Sequence, residues 1–506
     1  MYLKRKTITR AQSSAISYVI LFSFVFLFTY LPHLNDGPRG IHQWAQADRV
    51  AVCLRYADGK ELLDAATYSM KTHDGNTGVE FSGFQYLIGQ IIRMGVSENY
   101  VFFLLQFGTF LVFFSSLFAL VFSLLRKENI WIKSLLLIFI ISSPLLLYYG
   151  HNFLPDILAL SLVLWCYLLL DRNFQKHIIW ILLLSGLAML VKTSSGIYFI
   201  SFMGLYIFKI GKNINVKWGA AILLFGAIAC GIAYYDFNYV HLRSKELWST
   251  VFLTEFVPVT NWGQFTDVID TASRFRYEYF SRPQWWIILG LGLLSIWHKR
   301  KEVTTNINWR IAIVVLLGLL SLTILFGVQF MNHDYYVIAT FMPVVIYFTL
   351  KALAYFVPYV QPRTALIISI LIAITTFSEG NSKYFERMSE IVHIDGHPEP
   401  YNRKWILGAK QIVNNYVPKE NLIFSLYNME PNWSLVYAGR KGAVFNDEEM
   451  KRDESPMLYY FPILKPSHIL CRTKFCADFA TDQPAFFSHC NIVHQDDDIT
   501  LYAYGY

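Results

Sequence analysis

The chain has 506 residues, of which 55% are apolar, 17% aromatic and only 16% charged. Soluble domains average about 25% charged residues, so this composition excludes a string of soluble domains with wetted shells. The mean hydropathy of +0.37 and repeated apolar runs of about 20 residues point to an α-helical multi-pass membrane protein. The net charge of +7 falls in short clusters at the ends of those runs rather than in a basic stripe interleaved with aromatics, which excludes nucleic-acid binding.

The first apolar run follows Lys4, Arg5, Lys6 and Arg10 and lacks a small-residue cleavage site, so a retained anchor is expected. Spans are expected near 14–31, 99–125, 131–149, 154–171, 177–192, 196–210, 217–235, 284–298, 307–331, 335–357 and 364–379, about eleven transmembrane helices. With the N-terminus cytoplasmic, the clusters Arg126/Lys127/Lys133, Arg172/Lys176, Lys209/Lys212/Lys217 and His298/Lys299/Arg300/Lys301 all fall on the cytoplasmic side. That topology suits a plasma (inner) membrane protein and puts the C-terminus outside.

Three segments are then extracytoplasmic: 32–98, 236–283 and about 380–506. In the first, Trp44, Ala47, Ala51 and Leu54 recur at helical spacing, as do Phe84, Leu87, Ile88 and Ile91, predicting two helices lying flat at the interface. The tail alternates strand-like stretches (422–429, 442–446, 467–472, 499–505) with a helical 403–416, predicting a small α/β domain over 381–506 beside a membrane domain over 1–380. Cys471, Cys476 and Cys490 in this tail permit one disulfide, with its partners left open. The sequon Asn432-Trp433-Ser434 reads as accidental.

Ionisable groups at the rim of a helical bundle are costly and mark candidate chemistry. Asp48, in HQWAQADR (42–49), is placed to act as a general base on a hydroxyl; helix-start capping is the alternative. Glu80, in GVEFSGFQY (78–86), and Asp156, in YYGHNFLPD (148–156), are predicted on the same face of the membrane. The cations Lys192, Arg274 and Arg276, with His333 in the outer NHDYY turn (332–336), suit a lipid-anchored phosphate, with ordinary snorkelling as the bland reading of the arginines.

These stretches resemble motifs of the GT-C superfamily of integral-membrane glycosyltransferases, in the branch of the protein O-mannosyltransferases and the lipid A aminoarabinose transferase. WAQADRVAVCLR (44–55) is similar to a first-loop pattern W-R-Q-A-D-T-A-A-I-A-R, with Ala45 and Arg49 as departures. The stretch from Gly78 to Tyr86, Leu154-Pro155-Asp156, Lys192 at a span end and the stretch from Asp334 to Pro343 match four further patterns in order. An Asp-Glu pair found in the first loop of well-known relatives is absent. The resemblance implies an inverting hexosyl- or pentosyltransferase that moves a sugar from a polyprenyl-phosphate donor to a lipid, glycan or protein acceptor. It implies Asp48, Glu80 and Asp156 as catalytic residues, and Lys192, His333, Arg274 and Arg276 around the donor phosphate. Gln46, Arg49, Tyr86, Tyr335 and Tyr336 are implied in substrate binding. No cofactor is demanded, and a divalent metal near His42, His73 and Glu80 stays open. The rival readings are a transporter or flippase of lipid-linked sugars, which would show midplane polar residues and inverted repeats, and an O-antigen polymerase or ligase.

Overall fold

The computed structural model describes residues 10–209, 226, 231, 234, 258–299, 307–327, 331, 333–389, 391–392, 401–402, 404–452 and 454–505. The expected span at 217–235 and the basic residues Lys212, Lys217, Arg300 and Lys301 lie almost wholly outside them. The chain forms two compact units, one of 1–34, 106–232 and 255–386, the other of 35–105, 233–254 and 387–506. We call them the membrane unit and the α/β unit.

Among the described residues, five helical runs are long and apolar enough to cross a bilayer: Ala11–His33, Glu98–Leu124, Asp156–Val191, Tyr336–Tyr359 and Pro362–Arg387. Their helices include α1 (Arg10–Val25), α4 (Val101–Leu124) and α7 (Asp156–Val191). Phe22 of α1 stacks on Phe26 and meets Phe107, Phe110 and Phe114 of α4 with centroids 4.8–5.9 Å apart, a ladder of rings that fixes this pair by shape.

Two expectations change in detail. The single span read at 131–149 is two helices, α5 (Ile130–Ile141) and α6 (Pro144–Tyr149). Pro144 has no N–H to continue α5, and the Ser143 hydroxyl accepts from Leu146 N to start the second helix. α7 is broken at Asn173, whose backbone is extended. The Cys166 thiol lies 3.5 Å from the Ile181 carbonyl. A straight helix would separate those residues by about 22 Å, so the chain doubles back and the two expected spans here are the arms of a hairpin. α8 (Gly196–Lys209) packs against this hairpin.

In the α/β unit, β1 (Ile391–Val392) pairs antiparallel with β2 (Tyr401–Asn402), and in a separate sheet β3 (Ile423–Leu426) lies between β4 (Gly442–Phe445) and β5 (His468–Arg472), all three parallel. β7 (Ile499–Tyr504) joins β5 antiparallel, and β6 (Cys490–Gln495) closes the order β4-β3-β5-β7-β6. Phe424, Leu426, Phe445, Ile469, Phe479 and Tyr502 make its core. The stretch 68–70 of the first loop lies along the outer side of β4, with Gly442 N bonded to Tyr68 O and Met70 N to Gly442 O.

The first loop carries α2 (Gln43–Ala57) and α3 (Gly83–Arg93), close to the expected helices. The polar residues Gln43, Gln46, Asp48, Arg49 and Arg55 of α2 are all buried, where α3 and helix Trp433–Ala438 of the tail pack onto it. α3 turns Gln85, Ile88, Gly89 and Ile92 inward and leaves Leu87 exposed. Gly89 allows the close crossing of α2 and α3, since a Cβ there would meet Tyr56 Cβ at 2.6 Å and Cys53 O at 2.8 Å. Gly89→Ala is therefore expected to cost about 1–3 kcal/mol by overpacking, seen as a lower unfolding midpoint of the purified protein.

Candidate active site

The sequence motifs gather into two clusters, one in each unit. In the α/β unit, both backbone segments that build the cluster enter through left-handed residues, His42 (φ 58°) before α2 and Tyr427 (φ 56°) after β3. Side chains other than glycine, asparagine and aspartate rarely adopt this conformation. The first bend opens α2 at Gln43. The second sends residues 428–432 out of the C-terminal end of β3, the end where parallel sheets commonly place functional loops.

Asp48 is 1% exposed. Its Oδ1 accepts from Asn432 Nδ2 at 2.7 Å, while Oδ2 has no partner among the described residues. Asn432 is held at its other end too, its Oδ1 accepting from Ser69 N at 2.8 Å. Glu430, two residues earlier, is 3% exposed and accepts from Gln43 Nε2 at 3.1 Å. Arg49 pairs with Glu80 at 2.5 Å, joining the two first-loop motifs.

Burial dominates the electrostatics. Desolvation pushes the Asp48 carboxyl up to about 7, against the smaller opposing pulls of the Asn432 bond and the Arg49 charge. Glu430 rises to about 8, again chiefly by desolvation, with the Gln43 bond opposing and the Asp48 charge adding to it. The cluster thus holds two carboxyls that titrate near neutrality rather than near pH 4.

In the membrane unit, three motifs far apart in the chain converge. Lys192, at the end of α7, lies 3.5 Å from the Asp156 carboxylate at its start, both buried. Its ammonium also stands over the rings of Tyr336 at 4.6 Å and Tyr335 at 5.4 Å. Tyr149 donates to Asp334 at 2.7 Å, and His333 packs on the rings of Tyr335 and Tyr336. His151, a few residues before Asp156, stacks on Tyr30 at 4.1 Å and bonds Tyr384 at 3.2 Å.

Asp48, Arg49 and Glu80 are therefore brought together in one unit, and Asp156, Lys192, His333, Tyr335 and Tyr336 in the other. Arg274 and Arg276 take local partners instead: Arg274 pairs with Asp270 one turn back, and Arg276 lies over the Tyr277 ring. The Gln46 amide is bonded to the carbonyls of Arg39 and Ile41, so it shapes the loop. Tyr86 packs edge-on against Tyr56. Among the described residues, no group of three or more His, Cys, Asp or Glu side chains is placed to hold a metal ion. In the tail, the Cys471 and Cys476 thiols both donate to the Arg472 carbonyl, and Cys490 donates to Phe486 O. Glu430 is not among the residues the sequence singled out, and Asn432 stands there only as part of an accidental sequon. Their signal is a run of polar side chains, Asn428, Glu430 and Asn432, directly after an apolar strand.

No protein-family profile matches the chain, and no curated protein matches it. Solved structures do share its fold. ArnT from Cupriavidus metallidurans in the apo state aligns over 97% of this chain and 98% of its own, with TM-score 0.56 and 10% identity. The same protein bound to undecaprenyl phosphate gives TM-score 0.55, with the same coverage and identity. The Archaeoglobus fulgidus oligosaccharyltransferase in complex with Zn and sulfate aligns over 97% of this chain and 73% of its own, with TM-score 0.53 and 11% identity. The chain shares the fold of these structures, which is the fold the sequence motifs led one to expect.

Asp48 and Glu430 keep their protons when folded at pH values where an unfolded chain has released them. Unfolding between the ordinary carboxyl values near 4 and about 8 therefore releases protons, and this part of the stability falls as pH rises across that window. Glu430→Gln removes one of the two groups. It is expected to flatten the pH dependence of the melting midpoint and to raise that midpoint by about 2–4 °C at about pH 8.5, with no gain near pH 4.

Proposed function

We propose that the protein transfers a hexosyl or pentosyl group from a polyprenyl-phosphate carrier to an acceptor hydroxyl, with inversion at the anomeric carbon. The acceptor is a lipid, a glycan or a protein. The observation that carries this reading is the state of Asp48: a buried carboxylate with one oxygen held by Asn432, the other unpartnered among the described residues, and a proton affinity near neutrality. Such a group removes a proton from an attacking hydroxyl at ordinary pH and keeps it away from water.

In the step we envisage, the acceptor oxygen forms a bond to the anomeric carbon while its proton passes to Asp48. The bond from that carbon to the phosphate oxygen breaks with its electron pair, and the phosphate carries the new charge away. Within the membrane unit, Lys192, held by Asp156 and two tyrosine rings with His333 beside the same rings, is the cation we assign to binding a lipid-anchored phosphate. Glu80 acts through Arg49, whose positive charge holds the Asp48 carboxyl lower than burial alone would. Asp156 acts through Lys192. The exposed Arg274 and Arg276 are kept only as contacts of the donor's outer phosphate region. The fold neighbours support a lipid-phosphate donor, one having been solved with undecaprenyl phosphate and another, an archaeal oligosaccharyltransferase, with a dolichol-phosphate. The charge pattern supports a plasma-membrane location with the N-terminus cytoplasmic and the α/β unit outside.

The test is transfer from synthetic polyprenyl-phosphate sugars to envelope acceptors, with product anomers read by NMR. Asp48→Asn is expected to lower turnover by about 10²–10⁴ while the protein stays folded. Turnover of the unaltered protein rises with pH through about 7, because the base acts ionised. Asn432→Leu removes a bond that lowers the Asp48 affinity for protons and moves this midpoint to higher pH. Full activity of Asp48→Asn, or retention of anomeric configuration, would overturn the reading.

A further inference from the structure

The α/β unit has an open recess of about 580 Å³ lined by Arg93, Lys410, Lys419, Arg440 and Glu98 among others. Four cations face one carboxylate there. Glu98 is matched by Lys419 at 2.8 Å, and the Lys410 ammonium donates to the neutral Asn99 side chain at 3.0 Å, with no carboxylate paired to it among the described residues. Arg440 is 6% exposed, and its three guanidinium nitrogens bond the carbonyls of Pro418, Gly439 and Val417. These bonds fix the guanidinium without neutralising it. Arg93 has no ion pair among the described residues and is exposed at the mouth.

The place of the recess in the chain identifies what it meets. Glu98 and Asn99 line it, and the apolar run Glu98–Leu124 begins there, so its wall is the point where the chain enters the bilayer. Around that point Met94 is 79% exposed, Tyr100 56% and Val96 38%, an apolar rim that water would not favour. A net positive hollow at headgroup depth, with apolar side chains beside it, combines a phosphate-sized charge site with a contact for acyl chains. We infer that this recess binds the phosphodiester headgroup of an anionic phospholipid, held by Arg93 and Lys410 over the fixed charge of Arg440. The inference does not depend on the proposed reaction.

The full-length protein is purified in detergent and titrated with phosphatidylglycerol, phosphatidylcholine or inorganic phosphate. Bound lipid is read by native mass spectrometry and stabilisation by thermal melting. Phosphatidylglycerol is expected to bind and raise the midpoint, whereas phosphatidylcholine and inorganic phosphate at the same concentration do not. Arg93→Gln with Lys410→Gln is expected to weaken this binding about 30-fold, from about 1 kcal/mol for each basic residue near a membrane surface. A control pair, Lys465→Gln with Lys474→Gln, removes the same charge elsewhere on the unit and keeps the binding. Melting of each variant in lipid-free detergent verifies folding, and Lys410→Gln alone serves if the double variant melts early. Equal binding by the double variant, equal loss in the control pair, or stabilisation by inorganic phosphate alone would each overturn the assignment.

Discussion

The α/β unit's chemistry depends on one side-chain amide. Asn432 donates to Asp48 and accepts from the Ser69 backbone, so both of its ends are fixed and its orientation is determined by the groups it meets. Through those two bonds a tail residue ties together the middle of α2 and the strand-like stretch before Met70. A buried carboxylate needs such a donor, because an ionised oxygen without one is expensive at this depth. With only one oxygen satisfied, Asp48 keeps its place in the fold while remaining receptive to a proton.

The membrane unit solves the opposite problem, a buried ammonium. Lys192 is compensated by a carboxylate at 3.5 Å, longer than an ideal ion pair, and by the faces of two tyrosine rings. Ring faces attract a cation without fixing its direction and without removing its charge.

Much of this was legible in the sequence because it was written in local patterns. The period of the apolar residues predicts α2 and α3, the alternation in 422–429 and 467–472 predicts β3 and β5, and the short motifs around Asp156, Lys192 and Asp334 mark what converges in the membrane unit. β6 escapes because Cys490–Gln495 is half polar and none of its residues is buried, so it shows no buried alternation. The break before Pro144 was readable from Ser-Pro inside an apolar run but is masked by the hydropathy on both sides. The burial of α2 and the role of Glu430 and Asn432 are tertiary facts. A polar residue on a helix looks wet until another segment covers it, and nothing local in a turn such as NMEPNW names the helix it will meet. Asn432, which reads as an accidental sequon, is the case in point.

The stretch 68–70 has one more consequence. β4 is the border strand on the parallel side of a mixed sheet, and its outward N–H and C=O groups are a template on which a foreign strand can add. The first loop occupies part of that template at Gly442, and Lys71 follows it with an ammonium over the Phe445 ring. A tail severed from the first loop would therefore present an open, sticky margin to its own copies. A segment hundreds of positions upstream thus serves the α/β fold as its selvedge.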